Sequence, residues 1–227
     1  MKSLAVLLAG TALAISANAA TVSFNFTNAF QTTEISQTGN LGLFDSTLGA
    51  LTGVSLSFNG GSTTTLSLKN SAQQSQTTTA TGTTALNFGS SLSPLNTIIF
   101  ANNPVVSLSA TTGAVTLAPN VTQSFGPLLG NQTITWTEAT QLSSIVNSFA
   151  NAGGGIFAVS CTSLSGFSVV GGGGNISSVQ STEAGCGASI QYTYGERPPE
   201  QVPEPASLAL VGLALAGVAF VRKAKKA

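Results

Sequence analysis

From Val22 onward the apolar residues of this chain recur at every second position, and that period belongs to strands whose side chains point alternately to the two faces of a sheet. Val22, Phe24 and Phe26 alternate with Ser23 and Asn25, and Val54, Leu56 and Phe58 with Ser55 and Ser57. The pattern repeats at Leu66 and Leu68, Ile134 and Trp136, Phe157, Val159 and Cys161, and Ile190, Tyr192 and Tyr194. Turn signals at Asn59-Gly60-Gly61, Asn102-Asn103-Pro104, Thr112-Gly113 and Gly171 to Asn175 separate the runs. A parallel sheet needs amphipathic helices between its strands, and only Gln141 to Asn151, with Leu142, Ile145, Val146 and Phe149 on one face, has such a pattern. The expected fold is all-β, an antiparallel β-sandwich of jelly-roll type. The Thr-rich stretch from Ser71 to Thr84 has no apolar period and reads as an exposed loop or edge segment.

Charge excludes several functions. Charged residues make up 6% of the chain, against about 25% in an average soluble protein. Between Thr21 and Glu200 the cations are Lys69 and Arg197, against Glu34, Asp45, Glu138, Glu183, Glu196 and Glu200, so two positive and six negative charges leave −4. Nucleic acid is therefore not an expected partner, because binding it takes clustered Lys and Arg to release phosphate counterions. The chain has no His, which removes Ser-His-Asp and Cys-His catalysis, and no metal or cofactor set is apparent. The glycine runs at 153–155 and 171–174 lack the Gly-Lys ending that cradles phosphate. Glu138 with Glu183 or Asp45 is the one carboxylate combination that a glycosidase mechanism would use.

The remaining cations sit at the two ends. Lys2, the apolar run Leu4 to Ile15 and the Ala17-Asn18-Ala19 box are ordered as in a secretory signal, with signal peptidase expected to cut after Ala19. Near the other end stand Pro203-Glu204-Pro205, an apolar run from Ala206 to Val221, and the basic residues Arg222, Lys223, Lys225 and Lys226. The prolines keep the chain before the run extended and open to a protease. At ~1.5 Å per residue the run reaches about 24 Å, short of the ~30 Å hydrocarbon core, which suits a transient anchor in the inner membrane. The basic tail would stay cytoplasmic. The organisation expected is a signal peptide at 1–19, an exported sandwich domain at 20–195, a linker at 196–202 and a sorting segment at 203–227.

Residues 203 to 226 resemble the PEP-CTERM sorting signal, with its Pro-Glu-Pro motif, short transmembrane helix and basic tail. The resemblance implies recognition by a membrane protease, exosortase, and release to the outside of a Gram-negative cell that builds exopolysaccharide. Leu43-Phe44-Asp45-Ser46-Thr47-Leu48-Gly49-Ala50-Leu51, running on to Leu56, is similar to the opening signature of the choice-of-anchor E domain, and Gly172 to Tyr194 carries a second echo that closes on Tyr-x-Tyr. That similarity implies one exported β-rich domain over roughly residues 21 to 195, with no activity attached to the family. Read physically, Phe44, Leu48, Leu51, Val54 and Leu56 are expected in the core, and Asp45 is expected to accept hydrogen bonds in an Asx turn.

Cys161 and Cys186, which the choice-of-anchor resemblance does not include, are an even pair in an exported chain and favour a disulfide. A hairpin centred near Gly173 would bring them almost opposite one another, and the bridge would add roughly 3 kcal/mol; two buried thiols or an intermolecular link are the alternatives. Three functions follow in order: a non-enzymatic surface or matrix protein within exopolysaccharide, a carbohydrate-binding module, and a secreted hydrolase. For the second, Trp136, Tyr192 and Tyr194 are the candidate glycan contacts.

Overall fold

The computed structural model describes residues 19–196. The signal residues before Ala19, most of the linker and the whole sorting segment lie outside the described residues. In chain order the elements are β1 (Ala19–Thr27), β2 (Gln31–Thr32), β3 (Ser36–Gly42), β4 (Phe44–Asp45), β5 (Gly49–Asn70), β6 (Gln76–Ser90), α1 (Ser93–Ala101), β7 (Val106–Leu117), β8 (Thr122–Thr137), β9 (Ala150–Asn151), β10 (Ile156–Gly171) and β11 (Ile176–Glu196).

The long strands pair as a nested set. β6 and β7 are innermost, enclosed by β5 with β8, then β3 with β10, then β1 with β11, all antiparallel. Two further antiparallel pairings, β11 with β5 and β10 with β6, close this ribbon into two sheets of order β1-β11-β5-β8 and β3-β10-β6-β7. The result is an all-β sandwich, as the alternation requires. β5 and β11, of 22 and 21 residues, run its full length.

Inward side chains of both sheets form the core. The larger cluster joins Val54, Leu56 and Phe58 of β5, Trp136 of β8 and Ile190 and Tyr192 of β11 to Leu86 and Phe88 of β6 and Phe157 and Val159 of β10. Phe58 is its hinge, with ring centroids 4.8 Å from Phe88 and 4.9 Å from Trp136. A smaller cluster of Leu66, Leu68, Ala80 and Leu117 fills the other end.

The Thr-rich stretch is the main correction to the sequence reading. Only 71–75 forms a loop, and from Gln76 the chain is β6, held between β10 and β7. Its alternation was hidden because the inward positions hold Thr78, Ala80, Gly82 and Thr84, all buried, instead of large apolar residues. Thr78 donates to the Val170 carbonyl at 3.1 Å, so the buried hydroxyl is satisfied. The expected helix at 141–151 is a run of turns ending in a single 3-10 turn, Val146–Phe149, although Leu142, Ile145 and Phe149 are buried as that pattern required. The α-helix forms instead at α1, with Pro94 in its first turn and Leu95 and Ile99 one turn apart on the buried face. Leu48 is 45% exposed, not core, because it lies on the turn before β5.

Asn59-Gly60-Gly61 makes no turn and lies inside β5. Gly60 faces inward, where a Cβ would overlap the Leu86 side chain and come within 2.9 Å of Val106 Cγ1. Gly61 faces outward, where a Cβ would meet only Phe30 Cζ at 2.7 Å and Asn131 Oδ1 at 2.9 Å, among the nearest atoms.

The expected disulfide is present, but not across a hairpin. Gly171 to Gly174, with φ of 95°, 74°, 57° and 82°, carries the chain from the second sheet to the first, a conformation that residues with a Cβ resist. β10 and β11 therefore face each other across the core, and Cys161 and Cys186, with Cα atoms 6.6 Å apart, tie the two sheets together. Gln37 of β3 stands opposite Cys161 and supports the same junction. Its Oε1 accepts the Cys186 amide at 3.2 Å and its Nε2 donates to the Ala29 carbonyl at 2.8 Å.

Two outcomes are expected. Replacing both cysteines by serine removes a 25-residue closure, lowering stability by about 3 kcal/mol and Tm by roughly 6–12 °C in calorimetry, with no change in oligomeric state. In denaturant titration Gly60→Ala costs about 1–3 kcal/mol, whereas Gly61→Ala, which displaces only surface side chains, costs under ~1 kcal/mol.

Candidate functional site

Trp136, Tyr192 and Tyr194 do not form a glycan-binding surface. Trp136 is 3% exposed and Tyr192 0% exposed, because both occupy inward positions on β8 and β11. Tyr192 donates its hydroxyl to the Gly42 carbonyl at 2.8 Å and lies among Phe24, Phe44 and Phe149. Burial pushes its phenol well above the usual range. Tyr194 is half-buried, its ring 5.1 Å from Phe44.

Three of the carboxylates are spent on backbone amides. Asp45 Oδ1 accepts from Thr47 N and from Gly153 N, each at 2.9 Å; the first is the Asx turn expected from the sequence, and the second ties that turn to the loop after β9. Glu34 Oε1 accepts from Ser165 N at 2.8 Å, and Glu138 Oε2 from Val54 N at 3.0 Å. Glu183 pairs across the sheet with Thr63, nine residues along β5 from Val54. At ~3.3 Å per residue Glu138 and Glu183 stand about 30 Å apart, well beyond the roughly 5–9.5 Å of a glycosidase pair. Among the described residues no group of three His, Cys, Asp or Glu side chains is placed to hold a metal.

The two outer faces offer neutral hydrogen-bonding groups beside exposed apolar side chains such as Leu129, Leu164, Val170 and Val179. Thr77, Thr79, Thr81 and Thr83 line the outer side of β6, and hydroxyl pairs link Thr77 to Thr116 at 2.9 Å and Thr81 to Thr111 at 3.3 Å. On the other sheet Ser57 and Thr135 pair at 2.8 Å, beside Ser55, Ser189, Gln191 and Asn25. A shallow depression also lies on this sheet. Three outward positions on two adjacent strands, Gly61, Gly185 and Gly187, carry no side chain; Phe30 packs on the first two, and a depression of about 220 Å3 lies among them and their neighbours.

Its rim is built by neighbours. Phe30, in the loop between β1 and β2, lies over Gly61 and Gly185 in the space that a Cβ on either would fill, and is 45% exposed. Thr27 and Asn28 stand on one side, and Asn131, Gln132 and Thr133 of β8 on the other, with Asn59 over Gly187. No ionisable side chain lines it. The sequence concealed this site, because Gly60-Gly61 looked like a turn and Phe30 falls outside any alternating run; the one legible signal was the Gly-Cys-Gly step at 185–187 inside a strand pattern.

Comparison with known proteins locates one family model. Residues 201–223 match the PEP-CTERM protein-sorting motif. The match indicates an exported protein with a C-terminal sorting signal and implies exosortase as its processing partner. No curated protein matches the chain. Among solved structures, a chain of infectious bursal disease virus Gx strain is 12% identical over 88% of this chain and 47% of that chain, with a TM-score of 0.17. This chain thus spans about half the length of that relative. Tobacco streak virus coat protein is 12% identical over 85% of this chain and 99% of its own, with a TM-score of 0.20. The Triatoma virus empty capsid is 12% identical over 76% and 92%, with a TM-score of 0.18. At these scores none of the three bears on fold or function.

Tyr192 provides a test of the buried-aromatic assignment. Its phenol is expected to remain protonated in the folded chain at pH values where a free tyrosine, with a pKa of about 10, ionises, as read by ultraviolet titration. Because the folded state holds that proton more tightly than the unfolded one, the contribution to stability is complete below about pH 10 and is lost as pH rises further. Tyr192→Phe flattens that loss and leaves the Gly42 carbonyl unpaired, at a cost of about 1–2 kcal/mol.

Proposed function

We propose that this chain is an exosortase-processed structural protein of the cell surface or exopolysaccharide matrix, without catalytic activity. The sorting motif at 201–223 carries this reading. The domain before it suits life outside the cytoplasm: a disulfide joins its two sheets, a bond that persists in oxidising compartments. Its nested winding is that of a jelly roll, which buries inward rows of both sheets and leaves two broad outer faces. Those faces present Ser, Thr, Asn and Gln, groups that hydrogen-bond to a hydrated polysaccharide without attracting counterions.

In this reading a signal peptide ending at Ala19 directs export, and cutting there keeps the β1–β11 ladder from Ala20 opposite Tyr194 onward. The segment 206–221 anchors the chain in the inner membrane until exosortase acts at Pro203-Glu204-Pro205, and Arg222, Lys223, Lys225 and Lys226 hold the cytoplasmic side. The likeness of Leu43 to Leu56 to the choice-of-anchor E domain belongs with the same reading, since it describes one exported β-rich domain attached to a sorting tail. A carbohydrate-binding module is the second reading, supported by the glycine-floored depression. A hydrolase is less well supported, because Glu138 is bonded to Val54 N and stands far from Glu183.

Expression in an exosortase-bearing host tests the proposal. The expected product in the medium or outer fraction lacks both termini by intact-mass measurement, while deletion of exosortase, or alanine at Pro203, Glu204 and Pro205 together, leaves the tail attached and the protein in the membrane fraction. Identical mass and location in all three strains would refute processing.

A further inference from the structure

We propose that the depression floored by Gly61, Gly185 and Gly187 is a binding site for a neutral polysaccharide, with Phe30 as the ring on which one sugar unit stacks. Phe30 is apolar and 45% exposed, and it reaches this place only because two paired strand positions, Gly61 and Gly185, lack side chains. The ring shields the backbone of both glycines, and the part of it left exposed is open to a ligand. An exposed aromatic ring at the edge of a hollow can stack its electron-rich face on the C–H face of a sugar.

Several of the surrounding polar groups are unspent, although Gln132 Oε1 accepts from Ser107 N at 2.9 Å. Within the described residues the side chains of Asn59 and Asn131 make no hydrogen bond, and Asn28 Nδ2 is buried with no partner. Some buried or half-buried amides elsewhere are engaged, Asn70 with three carbonyls and Asn103 with the amide and carbonyl of Phe88, whereas Gln76 and Asn87 make no side-chain hydrogen bond among the described residues. Amides that both donate and accept, without a net charge, match hydroxyl groups and discriminate against phosphate, sulfate and uronate polymers. The size favours a polymer over a metabolite. At about 220 Å3, the hollow is smaller than the ~300–1,000 Å3 that enclose most small ligands, so it would seat a unit or two of a chain that runs on across the hydroxyl-rich face.

The inference rests on the reading of the chain as an exported matrix protein, and its failure is separable: a chain that is processed but binds no polysaccharide sinks the site alone. The test is affinity electrophoresis of the full chain, in a non-glycosidic detergent, through gels containing dextran, laminarin, galactomannan or the uronate polymer alginate. At least one of the neutral polymers is expected to retard the chain, with alginate having no effect. Phe30→Ala should weaken the retardation about tenfold, and Asn59→Ala and Asn131→Ala severalfold each. Phe100→Ala, at an 81%-exposed position on α1, should leave it unchanged. Near-ultraviolet circular dichroism from the buried Trp136 and Tyr192 checks that each variant is folded, and Asn131→Ala at an exposed position stands in should Phe30→Ala misfold. No retardation by any neutral polymer, equal retardation by alginate, or full retardation of a folded Phe30→Ala chain would each overturn the proposal.

Discussion

The closure of two sheets over one core is the interaction on which everything else in this domain depends. The nested strand pairs could remain a flat ribbon with one apolar face open to water. Pairing β11 with β5 and β10 with β6 rolls the ribbon so that Phe58, Trp136 and Tyr192 of one sheet meet Phe88 and Phe157 of the other. Burying an aromatic side chain contributes roughly 1.5–3 kcal/mol, so this handful outweighs the neutral surface pairs several times over. The Cys161–Cys186 bond and Gln37 act where the roll shuts, between β10, β11 and β3. Four glycines at 171–174 make the tight crossing between sheets feasible.

With stability drawn from the interior, the exterior is free of the charge that most soluble proteins carry. Glu34, Asp45 and Glu138 each receive a backbone amide, so they act as local ties. Ser and Thr ladders cover many of the remaining outer positions, interrupted by exposed Leu129, Ile156, Leu164, Val170 and Val179. Such a surface has little electrostatic steering and weak discrimination, which fits a matrix constituent whose partner is abundant and uncharged. The sorting motif and this surface chemistry point the same way, though they arise from separate parts of the chain.

Much of the architecture was legible because the core strands obey a simple period. Val54, Leu56 and Phe58, and Ile190 and Tyr192, announced both their strands and their buried faces. What escaped did so for identifiable reasons. β6 hides its inward row in Thr and Ala, which periodicity of large apolar residues cannot see. Gly60 and Gly61 serve close approach inside a strand, yet the Asn59-Gly60 step is of the kind that most strongly signals a short hairpin turn. The disulfide followed from cysteine count and compartment, while its geometry depended on which sheet each strand joins, a long-range property with no local mark. The aromatic nearest to a surface site, Phe30, belongs to a loop, whereas the Trp and Tyr residues that looked suited to sugars pack inside.

The most direct measurement of the account is amide hydrogen exchange across residues 76–84 in the oxidised chain. A central strand locked between β10 and β7 predicts protection comparable with that of β5 and far above the 71–75 loop. Exchange as fast as that loop would mean the second sheet is not continuous, and the rolled sandwich, its neutral faces and the site upon them would have to be abandoned together.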